Sequence, residues 1–108
     1  MSKSGTIIIV DDNKGVLTAV QILLKNYFSK IVTLSSPVTL SSVIREETPE
    51  VILLDMNFSR DAISGQEGFD SLKQILSIDP QAVVIFMTAY ADTDKAVRAI
   101  KAGATDFI

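Results

Sequence analysis

The sequence predicts an α/β domain built on a parallel sheet with helices on both faces. Three observations carry that expectation. Short apolar runs recur along the chain, each bounded by polar or turn-forming residues. Between them lie segments whose apolar residues fall three and four apart, the spacing of an amphipathic helix. The length of 108 residues suits one domain with one core. Composition agrees, since 47% hydrophobic against 21% charged residues, with 5 Gly and 3 Pro, describes a packed chain rather than a disordered one.

Residues 6–10 open the pattern with a run of branched side chains, as expected of a strand buried on both faces. Val16, Leu17, Val20, Leu23, Leu24 and Tyr27 follow with helical spacing, and Asp12 or Asn13 stands where an N-cap belongs. A second strand is expected over 31–34. Ser36-Pro37 then reads as N-cap and first helical residue of a helix turning Leu40, Val43 and Ile44 inward. Residues 51–54 form a third strand ending at Asp55. The stretch 56–67 has no period and is expected to be a long loop, with Gly65 and Gly68 suited to left-handed backbone. Phe69, Leu72, Ile75 and Leu76 mark a third helix that closes near Asp79-Pro80. Residues 82–87 give a fourth strand. A fourth helix carries Ala96, Val97 and Ile100, capped by Asp92 or Thr93 and closed by Gly103. Residues 105–108 begin a fifth strand. Right-handed crossovers restrict the arrangement, and the common five-strand answer is the flavodoxin-like doubly wound order 2-1-3-4-5.

Composition also removes whole classes of chemistry. With no Cys there is no disulfide framework and no thiol nucleophile, and with no His neither a Ser-His-Asp triad nor the usual zinc site can form. The net charge of −3 with scattered basic residues argues against direct nucleic-acid binding by this domain. No apolar stretch approaches the ~20 residues a membrane helix requires. Lys3 precedes the first apolar run and Asp11-Asp12 follows it, which is not the form of a secretory signal, so the expected compartment is the cytoplasm.

Open α/β sheets bind ligands outside the carboxyl ends of their strands, at the switch point between the first and third. This chain places Asp11 and Asp12 after the first strand, Asp55 after the third and Thr88 after the fourth. Clustered carboxylates repel one another unless a cation sits among them. Oxygen ligation without His or Cys suits Mg²⁺, which takes one or two carboxylates, waters and a phosphate. A metal so placed would let a carboxylate act as nucleophile toward a phosphoryl group, and Thr88 would donate a hydrogen bond to that group.

Four words of the sequence carry a specific resemblance: Ile7-Ile8-Ile9-Val10-Asp11-Asp12-Asn13, Val51-Ile52-Leu53-Leu54-Asp55-Met56-Asn57, Val83-Val84-Ile85-Phe86-Met87-Thr88-Ala89-Tyr90 and Lys101-Ala102-Gly103-Ala104-Thr105-Asp106-Phe107-Ile108. They resemble the receiver domains of two-component response regulators, most closely those of the NtrC type. The separations of 43, 33 and 19 residues along Asp12, Asp55, Thr88 and Phe107 fit as well as the residues do. The resemblance implies that Asp55 is the phosphoacceptor and that Asp11, Asp12 and Asp55 hold Mg²⁺ with the backbone carbonyl of Asn57, Asp12 as a direct ligand and Asp11 through water. It implies that Thr88 contacts the phosphoryl group and moves in the switch, and that Phe107 changes rotamer with it. Asn57 and Tyr90 would flank the phosphate. The implied partners are a sensor histidine kinase and an output module in cis, an AAA+ ATPase acting on sigma-54 RNA polymerase with a DNA-binding domain.

Two departures from the family pattern stand out. Receivers place a Lys just beyond the fifth strand, and residues 1–108 end before it and before the fifth helix, so the chain reads as a C-terminally truncated receiver domain without its output domain. The incomplete sheet edge and uncovered apolar face that follow favour association, including a homodimer. The loop after the third strand is also longer than in most receivers and lacks their usual Pro. The expected activity is therefore a phosphorylation switch that catalyses only its own phosphorylation and dephosphorylation. The alternative is a pseudo-receiver, an interaction module without phosphoryl turnover. An aspartyl-phosphate phosphatase is disfavoured because Asn57 stands where its general acid belongs. A flavin module is disfavoured because Asp11-Asp12 would repel the flavin phosphate.

Overall fold

Branched side chains lose rotamer freedom in a helix and pack well on a pleated surface. Ile7-Ile8-Ile9-Val10 accordingly lies in a strand in the computed structural model, which describes residues 5–55, 66–87, 101 and 103–107. The elements in chain order are β1 (Thr6–Val10), α1 (Lys14–Leu24), β2 (Lys30–Leu34), a 3₁₀ turn (Pro37–Thr39), α2 (Leu40–Glu47), β3 (Val51–Asp55), α3 (Gln66–Ile78), β4 (Val83–Met87) and β5 (Asp106–Phe107). All neighbouring strands pair in parallel, in the order β2-β1-β3-β4-β5, the expected flavodoxin-like arrangement. Four strands have five residues each, and β5 adds two beside β4.

Successive side chains of a strand point to opposite faces, and two cores result. On one face Ile8, Val10, Ile52, Leu54, Val84 and Phe86 pack under Leu40 and Ile44 of α2 and Leu72 and Ile75 of α3. On the other, Ile7, Ile9 and Leu53 pack under Leu17 of α1, with Val20, Leu24 and Phe28 at the margin. Toward β4 that second face thins, and Ile85 and Met87 are only half-buried. Strand β2 is an edge, marked by exposed Lys30 and Thr33. Lys30 Nζ pairs with Glu47 at the end of α2 at 2.6 Å, and a charged edge discourages pairing with another chain.

The structure corrects four local expectations. Helix α1 ends at Leu24, where the Tyr27 N–H donates to the Leu24 carbonyl at 2.9 Å, so Tyr27 leaves the helical stripe and is exposed. Leu23 is exposed as well, because it lies about 100° of turn from Leu24, which with Leu17 and Val20 faces the sheet. Ser36-Pro37 opens a 3₁₀ turn rather than α2 itself. Ser36 Oγ accepts from the Val38 N–H at 3.2 Å, and α2 begins at Leu40 behind Thr39. Lastly, Gln66, Glu67 and Gly68 belong to α3 and not to the preceding loop. The rest of that loop, and residues 88–100 with most of the helix expected after β4, lie outside the described residues.

Gly103 and Thr48 both take a positive φ, for opposite reasons. Gly103 has φ 112°, and a Cβ there would sit 2.6 Å from Leu76 Cδ1, so glycine both permits the turn into β5 and lets α3 close on it. Thr48 has φ 44° at the end of α2, an unusual place for a β-branched residue; its N–H donates to the Ile44 carbonyl at 2.9 Å.

Candidate metal centre

Register builds the site. Val10 lies level with Leu54 on the neighbouring strand, so the next residues, Asp11 and Asp55, emerge side by side at the carboxyl edge. Adjacent strands are about 4.8 Å apart, which leaves two acidic side chains on one edge no room to avoid each other. Asp11 is further fixed by its backbone N–H, which donates to the Leu34 carbonyl of β2 at 3.0 Å. Asp12 follows at the entrance to α1. One ligand oxygen from each of Asp11, Asp12 and Asp55 lies within 4.8 Å of the other two.

Burial gives the cluster its chemistry. Asp11 and Asp55 are only 6% and 8% exposed, whereas Asp12 faces solvent. Burial is the largest influence on Asp11 and pushes its carboxyl above the ordinary value. The Asn13 N–H opposes that, the charge of Asp12 pushes the same way as burial, and a hydrogen bond with Asp55 opposes it again. Like charges held together out of water favour whatever neutralises them, a proton or a cation.

The donor set suits a hard divalent cation. It is all oxygen, and the chain has neither His nor Cys to offer a softer metal. Three carboxylates gathered this closely could hold such a cation between them. Exposed Asp12 keeps one side open, as a metal that retains waters or meets a phosphate needs.

The sequence expectations divide cleanly at this edge. Asp11, Asp12 and Asp55 are brought together. Asn13, rather than Asp12, caps α1, its side chain accepting from the Val16 N–H at 3.1 Å. Thr88, Asn57 and Tyr90 lie outside the described residues. Phe107 is placed by its backbone in β5, level with Phe86. The hold of Asn13 on Asp11 was not legible from residue types, because the group that provides it is a main-chain N–H, common to every residue but proline.

Comparison with known proteins agrees with this geometry. The family model of the response regulator receiver domain matches residues 7–108. The chain belongs to that family. Among curated relatives of this receiver domain, the transcriptional regulatory protein ZraR of Klebsiella oxytoca is 29% identical over 102 residues, covering 94% of this chain and 22% of the relative. The DNA-binding transcriptional regulator NtrC of Escherichia coli is 30% identical over 104 residues, covering 96% of this chain and 21% of the relative. The receiver thus spans about a fifth of the length of the curated relatives it matches, and the resemblance to NtrC-type regulators holds. A crystal structure of the N-terminal signal receiver domain of a two-component response regulator from Bacteroides fragilis superimposes with a TM-score of 0.84 at 62% identity, covering 95% of this chain and 81% of that one. Among the described residues, no helix is long and apolar enough to cross a membrane.

Proposed function

We propose that this receiver domain is a phosphorylation switch in which Asp55 accepts a phosphoryl group from the phosphohistidine of a partner kinase. The observation that carries the proposal is the gathering of three carboxylates within 4.8 Å, two of them buried, at the ends of β1 and β3. An Asp55 carboxylate oxygen attacks phosphorus in line, the P–N bond to the imidazole breaks, and the imidazole leaves with the electron pair and takes up a proton. Asp11, Asp12, Asp55 and the Asn57 backbone carbonyl would hold Mg²⁺, which when bound supplies neutralising charge for a phosphoryl group entering an acidic site. Burial of Asp55 beside Asp11 orients the nucleophile and limits competing water.

The phosphorylated carboxylate brings about −2 charge and three acceptor oxygens. Thr88 donates to one of them, and Phe107 fills the space that Thr88 leaves, which alters the surface of the fourth helix and fifth strand read by the rest of the regulator. Residues 1–108 are in this reading one cytoplasmic receiver module, its output module an ATPase and DNA-binding unit like that of NtrC-type regulators. The fraction of ZraR and NtrC that the chain covers supports such a division.

The test is incubation with Mg²⁺ and a small phosphodonor, followed by intact-mass measurement. An acid-stable, base-labile phosphoryl gain that Asp55→Asn abolishes is the expected result. A longer chain that includes the Lys expected after β5 is run in parallel. Absence of the gain from both chains points to a pseudo-receiver, and a gain that survives Asp55→Asn removes Asp55 from its role.

A further inference from the structure

The orientation of Asp11 is set by the residue two further along. The Asn13 N–H donates to Asp11 Oδ1 at 2.9 Å. It is aimed there by an extended backbone, φ −94° and ψ 109°, immediately before α1. Two bonds keep that backbone in place. Asn13 Oδ1 accepts from the Val16 N–H at 3.1 Å, and the Asn13 carbonyl accepts from the Leu17 N–H at 3.1 Å. Gly15 leaves space for the arrangement, since a Cβ there would lie only 3.2 Å from Asn13 Oδ1. One residue therefore ties the first turn of α1 to a buried carboxylate of the site.

We propose that Asn13 is a positioning residue of the metal centre, which through its cap on α1 holds the Asp11 carboxylate in the orientation that receives a divalent cation. This deepens the proposed function and rests on it for the presence of the cation. A residue that merely starts a helix contributes to stability and leaves cation affinity alone. A residue that also fixes a ligand's orientation changes the affinity, typically by 10–100-fold when removed.

Mg²⁺ titration by calorimetry, well below the melting temperature, separates the two roles. Asn13→Ala is expected to weaken Mg²⁺ binding about tenfold. Asn13→Ser, which keeps a capping oxygen, is expected to restore it. Ser36→Ala removes the oxygen that accepts from the Val38 N–H in a turn elsewhere, and is expected to leave affinity unchanged. Asn13→Gly guards against an unfolded alanine variant, because glycine starts a helix at little cost yet lacks the side chain; it too is expected to bind weakly. In the metal-free chain, the amide resonance of residue 13 is expected to shift in the alanine variant and return in the serine variant. Wild-type affinity in both Asn13→Ala and Asn13→Gly, or an equal loss in Ser36→Ala, overturns the inference alone. A wild-type chain that binds no Mg²⁺ overturns the reading of the metal centre, and the inference with it.

Discussion

Asp11 is buried beside two other carboxylates, and its proton equilibrium decides how that arrangement bears on the fold. Its ordinary value is 3.8, and burial, with the charge of Asp12, raises it in the folded chain. The folded state therefore holds the proton more tightly than the unfolded state does. The stabilisation from that proton is complete below pH 3.8 and is lost as the pH climbs through the raised value. Asp11→Asn is uncharged throughout and keeps an oxygen for the Asn13 N–H. Without divalent cations it is expected to be more stable than wild type at pH 7, the two converging in acid. Urea midpoints measured across that range check this; equal stabilities at pH 7 would refute it. At this scale the sequence was informative about identity and silent about contact. Asp11, Asp12 and Asp55 were legible because Asp11 and Asp55 each end an apolar run, with Asp12 next to the first, which in a parallel sheet means one shared edge. The bond that orients Asp11 was not, since it depends on the backbone angles of Asn13.

The elements follow the same division between what composition dictates and what geometry adds. Strands β1 and β3 were legible because continuous branched and aliphatic runs have no other economical place than a sheet covered on both sides. The start of α2 differs from expectation because Ser36-Pro37 suits a 3₁₀ turn as well as an α-helix; both need a fixed φ and a capped N–H. Leu23 and Tyr27 depart from the buried stripe because apolar residues crowd one end of α1 and periodicity alone does not say where the helix stops. Thr48 is an element-scale defect that no pattern announces. A β-branched residue in left-handed backbone costs about 1–2 kcal/mol, where glycine would not. Thr48→Gly is therefore expected to raise stability by about 1 kcal/mol, the greater freedom of glycine in the unfolded chain offsetting part of the gain. The expected readout is a higher urea midpoint with an unchanged slope; a lower midpoint would show that the bond from Thr48 Oγ1 to the Glu47 carbonyl, at 2.8 Å, outweighs the strain.

Across the whole molecule the two faces of the sheet are unequal, and the inequality is testable in one strand. Phe86 is fully buried under the α2–α3 face, while its neighbour Ile85 is half-buried on the face of α1. Phe86→Ala is expected to lose about 3–5 kcal/mol, a large share of what a domain of this size possesses. Ile85→Ala, with less packing to lose, is expected to cost less than half as much. Similar losses from both, measured by urea unfolding, would mean that the second face is as well packed as the first.

The site joins these scales, because a ligand that binds only the folded chain stabilises all of it. If Asp11, Asp12 and Asp55 hold Mg²⁺ as proposed, that site has no equivalent in the unfolded chain, where Asp55 parts from the other two. Free Mg²⁺ at a hundred times its dissociation constant should therefore add about 2.7 kcal/mol, and each further tenfold about 1.4 kcal/mol. The chain carries −3 overall, so some stabilisation would come from any salt that screens self-repulsion. NaCl at matched ionic strength separates the two effects, since screening acts on dispersed charge and saturates, whereas binding continues to rise with the logarithm of Mg²⁺. Wild type is expected to rise with Mg²⁺ well beyond the NaCl control, and Asp55→Asn, lacking one ligand charge, to rise less. If NaCl reproduces the whole increase, the three carboxylates are a repulsive cluster that the fold tolerates, and the metal reading of this edge fails for a reason that the stability curves themselves display.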